Sequence, residues 1–118
     1  MKPLLAALCL LLASTAAALA QQVPDAAQKD LWCGLAFGIV AAEAPSDATD
    51  EQKAIIKQFA DGGEMLVDRA KGGHLQNGYT EETFAAYVET LRADVTIQVN
   101  ATESTPYSFE ECSALIGL

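Results

Sequence analysis

Apolar residues along this chain fall in blocks with helical spacing, separated by short stretches rich in Gly, Pro, Asn and Ser. The first block spans 24–43. Leu31, Trp32, Leu35, Ala36, Ile39 and Val40 recur there at one-, three- and four-residue steps, which makes one broad apolar face on a helix. Pro24 suits a first helical position, Asp25 adds negative charge to the first turn, and Pro45 stops the run. Gly34 and Gly38 lie four apart inside it. Each costs roughly 1 kcal/mol against alanine in an exposed helix, so a compensating close approach of another helix is expected.

The second block spans 50–71. Thr49 and Gln52 have the spacing of a capping box, with Asp50 and Glu51 near the positive end of the helix dipole. Ile55, Ile56, Phe59, Leu66, Val67 and Ala70 outline its apolar face. Gly62-Gly63 interrupts that face and reads as a kink, a break or a close helix crossing. One helix is expected, ended by Gly72-Gly73, with residues 72–79 as a loop carrying two turn signals. Thr80 then caps a third helix, in which Phe84, Tyr87, Val88, Leu91 and Val95 follow at steps of three and four. Residues 95–99 alternate like a strand. No second strand pattern exists to pair with them, so the helix is extended to Val99. A polar loop containing Pro106 leads to a second capping box, Ser108 and Glu111, and a short helix through Cys112, Leu115 and Ile116. The expected fold class is all-α: a small helical bundle of three longer helices plus a short C-terminal helix.

The first 20 residues differ from the rest in composition. Sixteen of them are hydrophobic, and none is acidic. Lys2, the apolar run from Leu4 to Leu12, and Ala18-Leu19-Ala20 match the three regions of a cleaved secretory signal peptide. The apolar stretch is too short to span a membrane comfortably, and Cys9 lacks the context of a lipoprotein cysteine. The expected organisation is therefore a leader over 1–20 and one helical domain over 21–118. The alanine-rich leader points to a bacterial periplasm, or to secretion more generally.

Removing the leader changes both the charge and the cysteine arithmetic. The chain's formal charge is −9. The part after residue 20 holds all 16 acidic residues against six Lys and Arg, which makes −10. Such a surface argues against nucleic-acid or anionic-membrane binding, since either needs a basic patch. Of three cysteines, Cys33 and Cys112 remain, an even pair in an oxidising compartment with one possible intramolecular connectivity. Trp32-Cys33-Gly34 is like the start of a thioredoxin-type redox site, but Leu35 and Ala36 stand where its proline and second cysteine belong. A structural disulfide stapling the last helix to the first is the expectation.

Little catalytic chemistry is visible. His74, the single histidine, lies in a glycine-flanked stretch with no local nucleophile or orienting group and reads as a solvated loop histidine. One histidine and two paired cysteines do not make a zinc site, and no haem-attachment motif or calcium loop occurs. The acidic groups Asp47/Asp50/Glu51, Glu81/Glu82 and Glu110/Glu111 each fall at an expected helix start, where capping explains them. No catalytic residue, cofactor site or metal site is therefore assigned. Asn100-Ala101-Thr102 matches an N-glycosylation acceptor, a triplet that recurs by chance.

These readings converge on a small exported, non-catalytic protein that binds another protein or an envelope component. A carrier of a small apolar ligand between the helices is the nearest alternative. In format the chain also resembles the acid-stress chaperones of the HdeA type: small, periplasmic and helical, with one disulfide and a Trp close to the first cysteine. Here the cysteines are 79 positions apart and bracket nearly the whole domain. The resemblance implies client protection in acid. Independently of it, protonating 16 carboxylates leaves six Lys and Arg plus His74, a swing from −10 to +7 that would loosen a bundle by self-repulsion.

Overall fold

The structure, a computed structural model, describes residues 23–101 and 105–118. The leader, including Cys9, lies outside the described residues. Four helices follow in order: α1 (Asp25–Ala42), α2 (Asp50–Leu75), α3 (Glu81–Ala101) and α4 (Phe109–Leu115). There is no strand among the described residues, and no described helix is long and apolar enough to cross a membrane. Residues 95–99 are helical. Val95 is fully buried and Ile97 is largely exposed, as a helical turn and not an alternating strand requires.

α1 is the centre of the bundle. Every residue from Asp30 to Phe37 is buried, so this helix is wrapped on all sides and not along one stripe. α2 runs antiparallel along it: Asp30 pairs with Arg69, Gly34 meets Gly63, and Phe37 stacks on Phe59 at 5.1 Å. The two backbones touch at the glycines. A Cβ on Gly34 would sit 2.7 Å from the Gly63 carbonyl oxygen, and one on Gly63 would sit 2.8 Å from that of Gly34. Gly62-Gly63 is thus a crossing point in an unbroken 26-residue helix. Gly62 also accepts the Ile116 side chain that follows α4. Gly38 does not share this role, because nothing lies within 4 Å of its missing Cβ.

The helix ends differ from the pattern in places, and α3 runs on to Ala101, two residues past Val99. Pro24 is the N-cap of α1 and not its first helical residue. More consequentially, Gly72-Gly73 does not end α2. The helix passes through both glycines to Leu75, because Gly73 lies against α1, where a Cβ would come 2.8 Å from that of Ala27. Termination falls to the Asn77-Gly78 signal. The Asn77 side chain donates to the Gly73 carbonyl at 2.7 Å, and the Tyr79 N–H reaches back to the His74 carbonyl across Gly78, whose φ is +102°. Both expected capping boxes, at Thr49/Gln52 and at Ser108/Glu111, are formed. Thr80 caps α3 reciprocally with Thr83.

Cys33 and Cys112 form the disulfide, with Cα atoms 5.3 Å apart. α4 has seven residues. A helix that short does not persist alone in water, so its place depends on docking. Closing a loop of this length contributes about 4–5 kcal/mol in the chain-entropy model. That is a large share of the 5–15 kcal/mol typical of a whole domain.

The two α1 glycines should respond oppositely to the same substitution. Gly34→Ala drives a methyl group into the facing backbone and is expected to cost about 1–3 kcal/mol. Gly38→Ala enters open space and should gain about 0.5–1 kcal/mol from helix propensity. Urea unfolding of the two variants measures both, and equal effects would show that the crossing is not the tight point.

Candidate functional site

Two concave features flank α1. The first lies beside the disulfide. α1 supplies Trp32, Phe37 and Val40, α3 supplies Val99, and the C-terminal segment supplies Tyr107 and Phe109, around a cavity of about 200 Å³. Each wall has a local cause. Trp32 is buried, and its indole N–H donates to the Gln98 side-chain oxygen at 2.8 Å, which ties the last turns of α3 to α1. Tyr107 meets Trp32 edge-on at 5.8 Å, with the Lys29 ammonium 5.7 Å from its ring centre. Phe109 touches Phe37 and Phe59 edge-on at 6.2 and 5.7 Å, yet 64% of its surface stays open to solvent. Cys112 forms part of the lining, so the staple and the groove are one construction.

The charges around this groove are mostly negative. Glu111 closes the α4 capping box and lies 3.9 Å from Lys29. Its carboxyl is held below the ordinary range chiefly by the Ser108 backbone N–H, which donates to it; slight burial opposes the shift, and Lys29 and the Ser108 side chain support it. The Tyr107 hydroxyl is pushed up by burial first and by the Asp25 and Glu111 carboxylates next.

The second feature is a trough along the α1–α2 seam, with a volume of about 360 Å³. Gly38, Ala42 and Ala60 form part of it, where the seam opens beyond the Gly34–Gly63 contact. Glu64, Asp68 and Arg92 also line it. The seam is therefore packed at one glycine pair and open a turn away. Small side chains offer less contact area than the aromatic walls of the first feature, so the groove beside the disulfide is the stronger candidate.

His74 is not a solvated loop residue. It is 1% exposed, in the last turn of α2. Because the helix continues past Gly72-Gly73, His74 falls in line with Leu66 and Ala70 on the buried face. Its Nδ1–H donates to the Ala70 carbonyl at 2.7 Å, and its ring lies 5.1, 5.2 and 5.8 Å from those of Tyr79, Phe84 and Tyr87. Burial is also the first cause that raises the Tyr87 hydroxyl. The four-residue series Leu66, Ala70, His74 was the available signal, and the glycines between masked it. Another unforeseen polar contact is the bidentate pair of Asp30 and Arg69, with Nε and Nη2 donating at 2.7 and 2.8 Å. The hydrogen bond to buried Asp30 is the first cause raising Arg69, so the guanidinium stays charged and supplies the countercharge that Asp30 needs.

No group of three or more potential metal-ligating side chains occurs among the described residues. Glu110 and Glu111 sit in the first turn of α4, Glu81 and Glu82 in that of α3, and Asp50 and Glu51 in that of α2, where helix starts favour acids. Comparison of the chain with protein-family models, curated proteins and solved structures finds no match. The likeness to acid-stress chaperones therefore rests on format alone.

The Glu111 shift fixes the sign of a pH effect. A carboxylate whose folded value is depressed stabilises the fold fully above its ordinary value near 4.5, and that contribution fades as pH falls through the lower folded value. Hydrogen exchange of the α4 amides should accelerate over that acid interval. Glu111→Gln keeps an acceptor for the cap but removes the titration, so its α4 exchange, corrected for intrinsic rates, should lose this acid step. A step as large as in the parent would assign the effect to other carboxylates.

Proposed function

We propose that this chain is an exported, non-catalytic binding protein that receives an apolar side chain of a partner protein in the groove beside its disulfide. The observation that carries the reading is the groove: four aromatic rings around a cavity of about 200 Å³, one of them, Phe109, mostly open to solvent. Exposed aromatic surface is costly to leave in water and is what partner-binding hot spots are made of. The composition of residues 1–20 supports export, and a buried disulfide suits the oxidising compartments that export reaches.

In-cell crosslinking of a tagged form, read by mass spectrometry, tests this. Phe109→Ala removes an exposed wall without opening the core and should strip the specific partner from the crosslinked set, with thermal unfolding reporting that the fold remains. An unchanged partner set in a folded Phe109→Ala variant would overturn the reading.

A second reading, carriage of a small apolar molecule, is supported by the open trough at Gly38. It predicts a co-purified ligand in the native mass spectrum of the chain, displaced by Gly38→Phe, which fills the trough. A ligand-free spectrum from cells would remove it.

A further inference from the structure

We propose that the segment recognised by the groove at Trp32 and Phe109 is a basic one, presenting a single bulky apolar side chain flanked by Lys or Arg. This rests on the protein-binding reading above and adds the chemistry of the partner.

Size comes first. At about 200 Å³ the groove is smaller than the 300–1,000 Å³ usual for drug-sized ligands and cofactors. It is on the scale of one large side chain, so its occupant projects from a larger molecule. Its walls set the polarity of that side chain. Trp32, Phe37, Val40, Val99, Tyr107 and Phe109 are mainly apolar, Thr105 adds one small polar group, no charged residue among the described ones lines the cavity, and the Trp32 N–H is committed to Gln98. An apolar anchor fits such walls, and a charged one would lose its hydration there without a partner.

The rim sets the charge of the flanks. Glu110 follows Phe109 in α4, is exposed, and has no ion pair among the described residues. Asp25 and Glu111 both act on the Tyr107 hydroxyl. Lys29 lies 3.9 Å from Glu111 and 5.7 Å from the Tyr107 ring centre. It does not line the cavity. Cationic flanks would meet these acids, whereas a second copy of this chain, formally −9, and an anionic lipid surface would both be repelled.

Trp32 is the single tryptophan of the chain and lines the groove, so its fluorescence reports occupancy. The full chain is titrated with three blocked peptides, Lys-Lys-Phe-Lys-Lys, Glu-Glu-Phe-Glu-Glu and Lys-Lys-Ala-Lys-Lys. The first is expected to bind at least about tenfold more tightly than either of the others, as complementary charge and a filled pocket each require. Its advantage over the glutamate peptide should shrink between about 50 mM and about 500 mM salt. Glu110→Lys, which leaves the Glu111 cap intact, should reduce the same advantage. Equal affinities for the lysine- and glutamate-flanked Phe peptides would overturn the inference while leaving the groove as an apolar site. Equal affinities for the Phe and Ala peptides would show that the groove is not used, and would sink the underlying reading as well. Binding of none of the three would overturn both.

Discussion

At Gly34 and Gly63 the backbones of α1 and α2 come so close that neither position has room for a methyl group. The rest of the domain is arranged around that contact. It sets the height at which the two helices pass, and so places Arg69 opposite Asp30 on one side of the crossing and Phe59 opposite Phe37 on the other. It also presses α2 against one face of α1, which leaves Trp32, Cys33 and Ala36 for other partners. α3 takes Trp32 through Gln98, and α4 takes Cys33 through Cys112. The groove forms where those two attachments meet over α1. Widening the crossing by one carbon would therefore disturb features well away from the glycines themselves.

The energetics are distributed unevenly along this scaffold. α1 buries nearly its whole middle, including Leu31 and Cys33 with no exposed surface, and full burial of a leucine-sized side chain contributes about 1.5–3 kcal/mol. The outer ends are held by weaker links. The Lys71–Glu81 pair at 3.3 Å is exposed, and pairs of that kind contribute about 0–1 kcal/mol. α4 combines few residues, one covalent bond and a pH-dependent cap. The groove thus has one rigid side, on α1, and one side whose firmness depends on a short helix.

Local chemistry was legible in the sequence; encounters between distant segments were not. The Thr49/Gln52 and Ser108/Glu111 boxes involve residues three apart, so spacing alone identifies them. The disulfide was legible because reading residues 1–20 as a leader sets Cys9 aside and leaves a single pairing. Glycines were ambiguous because one residue type ends helices and also lets them cross. Gly73 belongs to the second kind, and only Ala27, 46 positions earlier in the chain, says so. Reading Gly72-Gly73 as a stop cut off the series that ends at His74, and the buried histidine was lost with it. Asp30 and Arg69 are 39 positions apart and carry no mutual signal. The candidate groove draws on α1, α3 and the C-terminal segment together; Trp32 and Val40 had been read only as part of an apolar helix face and the stretch before Ser108 as a polar loop, so nothing signalled that these residues surround a cavity.

The position of the disulfide has a mechanical consequence. The bond joins residues 79 positions apart, so most of the helical domain hangs from it as a closed loop. Tension applied to the two ends of the domain passes through the start of α1, across the sulfur atoms and out along the end of α4. The Gly34–Gly63 crossing, α2 and α3 lie off that covalent line, and load reaches α2 and α3 only through their contacts with the start of α1, at Ala27, Asp30 and Trp32. A single cut in the loop would likewise leave both pieces attached. A protein anchored at one end and pulled at the other would thus carry the covalent load through α4, one wall of the groove, while the backbones of α2 and α3 stay outside the covalent path.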